Sequence, residues 1–399
     1  MEQVPSLEVS VCGIPLENPF LLASAPPTAR IECIRKAFAL GWAGAVLKTI
    51  SPTSSDMQDS TPRFGGLRVA KKHIVGFENF ELLSRKSLTY WKEGICSLKR
   101  EFPKKAIIAS IMAPVERSAW QSLVRDLQTA PIDAFELNFS CPHGMPERGM
   151  GMAIGTSAEI SARITAWVKE AATVPVFVKL SPNVTDIAAI ALAVQSAGAD
   201  GLAAINTVQS LVGVDLESLN PLPSVCGQTT FGGYSGLAVK PIGLRCVAQA
   251  CAATKLPMLA MGGISSWEDA VEYMALGGNA VQVCTEVMLN GYAVIKPMLA
   301  GLENYLRRKG FSSLAAIHGA ALPKITTHTL LDRTKYVARL DAARCVRCGK
   351  CVTLCDESGY SAITATDGVP CVTPSVCDGC GLCVVACPNQ AFVMTAAET

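Results

Sequence analysis

Residues 174–206 read VPVFVKLSPNVTDIAAIALAVQSAGADGLAAIN. The apolar run Val176–Leu180 predicts a buried strand. A helix is expected over Asp186–Ala197, with Thr185 as its N-cap and Ala188, Leu192 and Gln195 at helical spacing. Ala197-Gly198-Ala199-Asp200 ends that helix, and Gly201 opens the next buried strand, Gly201–Asn206. Strand, helix and strand in such close succession form the repeating unit of a parallel α/β fold.

The same rhythm extends in both directions. Further strands are expected at Phe20–Ser24, Ala45–Thr49, Ile107–Met112, Ala134–Asn138, Met258–Met261 and Ala280–Cys284. Helices are expected at Ala29–Leu40, Leu82–Glu101, Ser118–Thr129, Ser157–Ala172, Pro241–Ala253, Ser266–Leu276 and Tyr292–Lys309. Eight strands with intervening helices favour a (β/α)₈ TIM barrel, of class α/β, over an open dinucleotide-binding sheet. The barrel is expected over residues 1–320. Pro323 and the polar run Thr326, Thr327 and His328 break the periodicity, so 321–343 reads as a connecting segment before a small domain at 344–399.

That small domain carries two cysteine runs: Cys345-x₂-Cys348-x₂-Cys351-x₃-Cys355 and Cys377-x₂-Cys380-x₂-Cys383-x₃-Cys387-Pro388. Soft, anionic thiolates suit the tetrahedral iron corners of a cubane. Three closely spaced cysteines wrap one face, and the last cysteine of each run serves the other cluster. The expected ligand sets are Cys345, Cys348, Cys351 and Cys387 for one [4Fe–4S] cluster, and Cys377, Cys380, Cys383 and Cys355 for the second. Zinc knuckles instead use two well-separated Cys-x₂-Cys pairs. Gly349, Gly379 and Gly381 allow tight turns around the sulfurs. Asp356 follows Cys355 where ferredoxin runs carry proline, so an altered loop with no lost ligand is expected there. Two such clusters relay single electrons, which demands a further redox centre in the barrel.

Composition is consistent with this organisation. Half of the 399 residues are hydrophobic, enough for one large core and a small appended domain. A formal charge of +2 argues against a nucleic-acid surface. No apolar run reaches membrane-spanning length, and the start MEQVPSLEVS lacks the basic and apolar regions of an export signal. With eight of 17 cysteines at metal-ligand spacing, a reducing cytoplasm is the expected compartment. Cys12, Cys33, Cys96, Cys226, Cys246, Cys251 and Cys371 read as small fillers.

Polar residues and glycines gather at the C-terminal strand ends, where barrels place their sites. They include Ala23-Ser24, Lys48-Thr49, Asn138-Phe139-Ser140-Cys141, Lys179, Asn206-Thr207, Gly262-Gly263 and Cys284-Thr285. Gly262-Gly263 and Cys284-Thr285 suit a phosphate cradle, and Gly232-Gly233-Tyr234-Ser235-Gly236 reads as a glycine-rich loop able to close over it. Gly149-x-Gly151-x₃-Gly155 follows the Cys141 loop rather than a strand, so no nicotinamide site is expected on this chain.

These segments resemble the dihydropyrimidine dehydrogenase family, in particular the bacterial-type subunit carrying a flavin barrel and clusters. The resemblance runs through Asn18-Pro19-Phe20, Lys48-Thr49, Asn138 to Gly144, Glu147 to Gly151, Lys179 to Asp186, Asn206-Thr207, Gly233 to Gly236, Gly262-Gly263-Ile264 and Cys355 to Tyr360. Dihydroorotate dehydrogenases share the barrel and FMN site. The resemblance implies FMN bound by Ala23, Ser24, Lys48, Thr49, Asn138, Lys179, Asn206, Gly236, Gly262, Gly263, Cys284 and Thr285. It implies a pyrimidine base held by Asn79, Glu81, Asn138, Ser140, Asn206 and Thr207, and Cys141 as the general acid/base, with Lys179 beside the reacting centre.

Chemistry supports part of this independently. Reduced flavin gathers negative charge that a lysine stabilises. Asparagine offers one donor and one acceptor to the alternating edge of uracil or thymine. Saturating C5=C6 needs a proton opposite the hydride, which a thiol can give and its thiolate can retrieve. A bland role also exists for some of these residues: Lys48 as an ion-pair partner, Asn79 as a loop residue capping the next helix, and Cys141 as an inert thiol beside Pro142. His143 is expected to steady the loop. Pro146 and Met112-Ala113-Pro114 depart from the family pattern and make these loops stiffer.

The expected activity interconverts uracil or thymine and the 5,6-dihydro forms, in a hetero-oligomer with an FAD- and NAD(P)H-binding partner subunit. Two alternatives stand beside it: a related FMN oxidoreductase for another cyclic amide such as dihydroorotate, and a non-catalytic electron-transfer subunit. Orotate carries a carboxylate that would need a cation, for which Arg148 is the evident candidate near the cysteine loop.

Overall fold

The computed structural model describes residues 5–52, 58–70, 73–139 and 150–397. The chain divides into two compact units, Met1–Lys324 and Ile325–Thr399. In the first, eight parallel strands close a barrel: β1 (Phe20–Leu22), β2 (Gly44–Val46), β3 (Ala106–Ile111), β4 (Ala134–Asn138), β5 (Val176–Leu180), β6 (Gly201–Ala204), β7 (Met258–Met261) and β8 (Gly278–Val283). Each strand pairs in chain order with the next, and β8 pairs with β1 to close the ring. Their buried runs are those predicted from the sequence, because a strand enclosed on both faces is apolar almost throughout.

Inside the ring, Leu21, Val46, Ile108, Phe177, Leu259 and Met261 pack together. The N-terminal hairpin Val9–Val11 and Ile14–Leu16 adds Val11, Ile14 and Leu16 to this cluster. The larger core lies between strands and helices and includes Trp42, Trp91 and Trp120, all fully buried. No helix among the described residues is long and apolar enough to cross a membrane.

Several expected boundaries move. The helix after β5 is capped by Asp186, not Thr185: the Asp186 carboxylate accepts from Ala188 N at 2.9 Å and Ala189 N at 3.2 Å. A short carboxylate is well placed to satisfy amides two and three residues ahead. The helix expected from Leu82 begins at Leu88, where Ser87 accepts from Tyr90 N.

The larger differences lie at the barrel mouth. Phe64–Val69 and His73–Asn79 form an antiparallel hairpin. Gly232–Ser235, expected as a loop, is a strand pairing with both His73–Asn79 and Val208–Ser210. Asn79 therefore ends a strand instead of lying in a loop. Buried Glu78 ties this four-stranded sheet together, accepting from Val212 N at 2.6 Å and Gly232 N at 3.1 Å.

The second unit begins earlier than the expected residue 344. Tyr336–Leu340, read as connecting segment, pairs antiparallel with Phe392–Ala396. The strand belongs with the cysteine domain because Val337 and Ala338 pack against Cys351, Cys377, Cys383 and Phe392 in its core. A hairpin, Ile363–Thr366 with Val369–Val372, and the helices Lys350–Glu357 and Leu382–Ala386 complete it.

Candidate active site and cluster site

A cavity of about 640 Å³ opens at the C-terminal ends of the barrel strands, within the range of small-ligand pockets. Fifteen of the expected flavin and pyrimidine residues line it. Ala23, Ser24, Lys48 and Thr49 come from the ends of β1 and β2, and Asn79 and Glu81 from the end of the hairpin and the segment just beyond it. Asn138, Lys179, Asn206 and Thr207 belong to the middle strands and their ends, and Gly236, Gly262, Gly263, Cys284 and Thr285 complete the wall. Ser140 and Cys141 lie outside the described residues, as do His143 and Arg148.

A polar chain crosses the floor. Asn206 Nδ2 donates to Asn138 Oδ1 at 3.0 Å, and Asn138 Nδ2 donates to Thr49 Oγ1 at 2.9 Å. Thr49 Oγ1 also lies 2.9 Å from Ser110 Oγ and 3.2 Å from Ser24 Oγ. Thr207 N donates to Asn206 Oδ1 at 2.9 Å. The network fixes which end of each asparagine amide faces which neighbour.

Lys48 and Lys179 are both buried. Lys48 Nζ meets Glu81 Oε2 at 2.6 Å, and Glu81 Oε1 accepts from Arg63 Nε at 2.6 Å. Burial alone would raise the Glu81 carboxyl, but the charges and hydrogen bonds of Lys48 and Arg63 outweigh it and leave the carboxyl lowered. Both Glu81 oxygens are thus engaged by cations, so it meets the cavity as a bridge between barrel and hairpin. Asn79 bonds within the mouth sheet and its edge: its Nδ2 donates to Gly233 O at 3.1 Å, and its Oδ1 accepts from Glu81 N at 3.2 Å. Lys179 Nζ lies 3.4 Å from Glu136 Oε1.

The far wall shows close backbone approach. Gly263 has φ +71°, and a Cβ there would fall 2.6 Å from Gly236 O and 2.9 Å from Lys240 N. Gly236 itself has φ +92°. Only glycine meets both demands cheaply. Thr285 Oγ1 donates to Ser235 Oγ at 2.8 Å. Burial pushes the Cys284 thiol up to about 11, against the lowering pull of Lys179 and Lys48, so it presents a neutral wall. Gln282 lines this cavity, and its buried Oε1 acceptor has no hydrogen-bond partner among the described residues.

These features fit FMN: buried cations for its electron-rich ring end, narrow glycine backbone for its phosphate tail, and an orphaned acceptor. Phe64, Arg68, His73 to Phe77 and Gln282 also line the cavity and were not expected from the sequence. The hairpin residues carry one weak sign, the β-branched pair Ile74-Val75 close to aromatic Phe77, without apolar–polar alternation. Gln282 carries no comparable sign, being one polar residue in an apolar strand.

In the second unit, Cys355, Cys377, Cys380 and Cys383 line one small cavity. Backbone amides reach three sulfurs: Arg347 N to Cys345 Sγ at 3.4 Å, Ala362 N to Cys355 Sγ at 3.3 Å, and Ala391 N to Cys387 Sγ at 3.3 Å. Gly349 and Gly381 adopt φ +73° and +79° and start the two helices that carry the later cysteines. The halves differ after the fourth cysteine. Asp356 lets the first helix run to Glu357, and the Cys355 sulfur is met by an amide seven residues on. Cys387-Pro388 succeeds a helix that stops at Ala386, and its sulfur is met four residues on. Hydrogen bonds from amides to the sulfurs tune a bound cluster.

The dihydroorotate dehydrogenase family matches residues 6–306, and the 4Fe-4S dicluster domain family matches residues 338–394. The chain is 38% identical over 346 residues to the chloroplastic dihydropyrimidine dehydrogenase (NADP(+)) of Arabidopsis thaliana, covering 84% of this chain and 81% of that protein. It is 38% identical over 361 residues to the NAD-dependent dihydropyrimidine dehydrogenase subunit PreA of Escherichia coli K12, covering 90% and 87%. It is 34% identical over 316 residues to the catalytic subunit of dihydroorotate dehydrogenase B (NAD(+)) of Pyrococcus abyssi, covering 79% and 99%. With its barrel, its cavity and its cysteine domain on one polypeptide, the chain belongs to the dihydropyrimidine dehydrogenase family, oxidoreductases that join an FMN barrel of the dihydroorotate dehydrogenase type to two [4Fe–4S] clusters.

Proposed function

We propose that this chain interconverts uracil or thymine with 5,6-dihydrouracil or dihydrothymine. The observation that carries this reading is the linked pair Asn138 and Asn206 on the floor of a cavity that also holds two buried lysines. Two fixed amides supply the donors and acceptors that a pyrimidine edge requires. When bound, FMN supplies the hydride chemistry at the pyrimidine C6. Lys48 and Lys179 bring positive charge to the cavity, and Cys141 gives a proton to C5 or removes one in the reverse direction. Asn79 and Glu81 shape the hairpin side of the site.

A dihydroorotate reading is less well supported. The orotate carboxylate needs a cation: Lys48 and Lys179 already face Glu81 and Glu136, and Arg68 also lines the cavity. The dihydroorotate dehydrogenase relative is also less similar, 34% identical over 79% of this chain against 38% over 90%.

The clusters carry electrons between this chain and a separate subunit holding FAD and the NAD(P)H site, in a hetero-oligomer within the cytoplasm. Support comes from the dicluster domain and from a relative that is itself named as a subunit. The cavity lined by Cys355 with Cys377, Cys380 and Cys383 favours ligand sets that cross between the two runs.

The test is anaerobic turnover of purified, cluster-loaded protein with a pyrimidine panel. Uracil or thymine is consumed with a dithionite-reduced dye and not with NADH alone. Consumption of dihydroorotate in preference to the dihydropyrimidines, with the dye oxidised, would reassign the substrate, and robust NADH-dependent turnover would remove the partner.

A further inference from the structure

The barrel interior holds a carboxylate that the proposed chemistry does not use. Glu136 sits on β4 two residues before Asn138 and is fully buried. Residues two apart on a strand share a face, so both point into the ring. Glu136 Oε2 accepts from Gln282 Nε2 at 2.7 Å. Gln282 belongs to β8, four strands from β4 in the closed order, so this bond spans the barrel. Glu136 Oε1 lies 3.4 Å from Lys179 Nζ, an ion pair without a directed hydrogen bond.

An acidic side chain in so dry a place is costly unless charge and hydrogen bonds match it. Gln282 supplies the hydrogen bond and Lys179 the charge. Because a carboxylate accepts, Gln282 must turn its Nε2 toward Glu136 and its Oε1 away. That Oε1 is buried and has no hydrogen-bond partner among the described residues. Three side chains from β4, β5 and β8 therefore form one unit, of which Lys179 and Gln282 line the cavity.

We infer that Glu136 is a positioning residue: pinned from across the barrel by Gln282, it holds the Lys179 ammonium against the cofactor cavity and so sets the charge a bound flavin meets. The inference rests on the reading of this cavity as the FMN site. A fixed positive charge near a flavin makes its reduction easier, and a displaced one loses that effect steeply with distance.

A double-mutant cycle tests it, using Lys179→Met and Glu136→Gln in full-length, cluster-loaded protein. The readouts are the flavin midpoint potential, by spectroelectrochemical titration, and the thermal midpoint. K179M is expected to shift the flavin potential, and most of that shift is expected to vanish when K179M is made on top of E136Q. A shift of equal size in both backgrounds overturns the inference. Absence of any K179M shift, or failure of the unaltered chain to bind FMN stoichiometrically, instead removes the cofactor reading on which it rests.

The thermal readout serves even if E136Q retains no flavin. E136Q is expected to lower the thermal midpoint of the unaltered chain but to raise that of K179M, because it removes a buried charge left without its partner. Destabilisation in both backgrounds would make Glu136 a structural brace and overturn the inference.

Discussion

Lys48 and Glu81 meet at 2.6 Å where the end of β2 faces the segment just beyond the His73–Asn79 strand. The same carboxylate grips Arg63, the residue that leads into the hairpin. One side chain thus fastens the hairpin to the barrel and holds a cavity lysine in place. Its exposure is low enough for the contact to exceed an ordinary surface pair, with side-chain values of 12% for Glu81 and 10% for Lys48.

Acid should loosen this fastening. The Glu81 carboxyl is lowered from its ordinary 4.5. A lowered value in the folded state means that the unfolded chain binds the proton more readily. The contribution is therefore fully present above pH 4.5 and is lost as pH falls through the lower, folded value. Glu81→Gln should cost about 1–3 kcal/mol at neutral pH, between the values for exposed and buried pairs. Its melting temperature should also fall less steeply with acid than that of the unaltered chain. Scans from neutral pH down to acid, monitored by circular dichroism, would detect this, and parallel curves would exclude it.

The range of each interaction decides how legible it is in the sequence. The eight barrel strands were readable because each is an unbroken buried run, such as Val176–Leu180. The cysteine spacing was readable because three of the four ligands expected for each cluster lie a few residues apart. The sheet over the barrel mouth was not, because Asn79 finds its partner at Gly233, far along the chain. Glu136 was hidden for the same reason. It looks out of place in Ala134-Phe135-Glu136-Leu137-Asn138 until Lys179 and Gln282 arrive from other strands.

Gly263 tests the backbone fit of the cavity. An added methyl would press on Gly236 O and Lys240 N, at a φ that side chains avoid. Gly263→Ala should destabilise the loop by about 1–3 kcal/mol. Because Gly236 and Gly263 face the same cavity, FMN content should drop while iron content holds. Flavin and iron assays on the same preparation separate the two, and normal FMN content in a folded variant would refute the cradle.

Cys141 should affect turnover and not cofactor content. Replacing it by serine puts a hydroxyl, a far poorer acid, in place of the thiol, so pyrimidine reduction should slow by about 10²–10⁴-fold, the scale of general acid catalysis. FMN and iron should remain at the level of the unaltered chain. Steady-state rates with a reduced dye, measured beside the flavin spectrum, provide the check. An unchanged rate would remove Cys141 from proton transfer.

The crossing of the cluster ligands can be decided by counting iron. Each cubane holds about four irons, and loss of ligands empties it. If the last cysteine of each run serves the other cluster, Cys345 and Cys387 belong to one cubane. The double variant C345A/C387S then damages a single cluster, and about four irons per chain should remain. If each run instead served its own cluster, the same two changes would strike both cubanes and leave almost no iron. C345A/C355S gives the mirror experiment: the crossed arrangement loses both clusters, the uncrossed one only one. Cys355 shares its cavity with Cys377, Cys380 and Cys383, which points to the crossed outcome. The small unit should also lose stability in proportion, since Cys351, Cys377 and Cys383 belong to its core and metal binding contributes to its folding. Colorimetric iron analysis of anaerobically reconstituted protein gives the answer, and iron retained in C345A/C355S but lost from C345A/C387S would reverse the assignment.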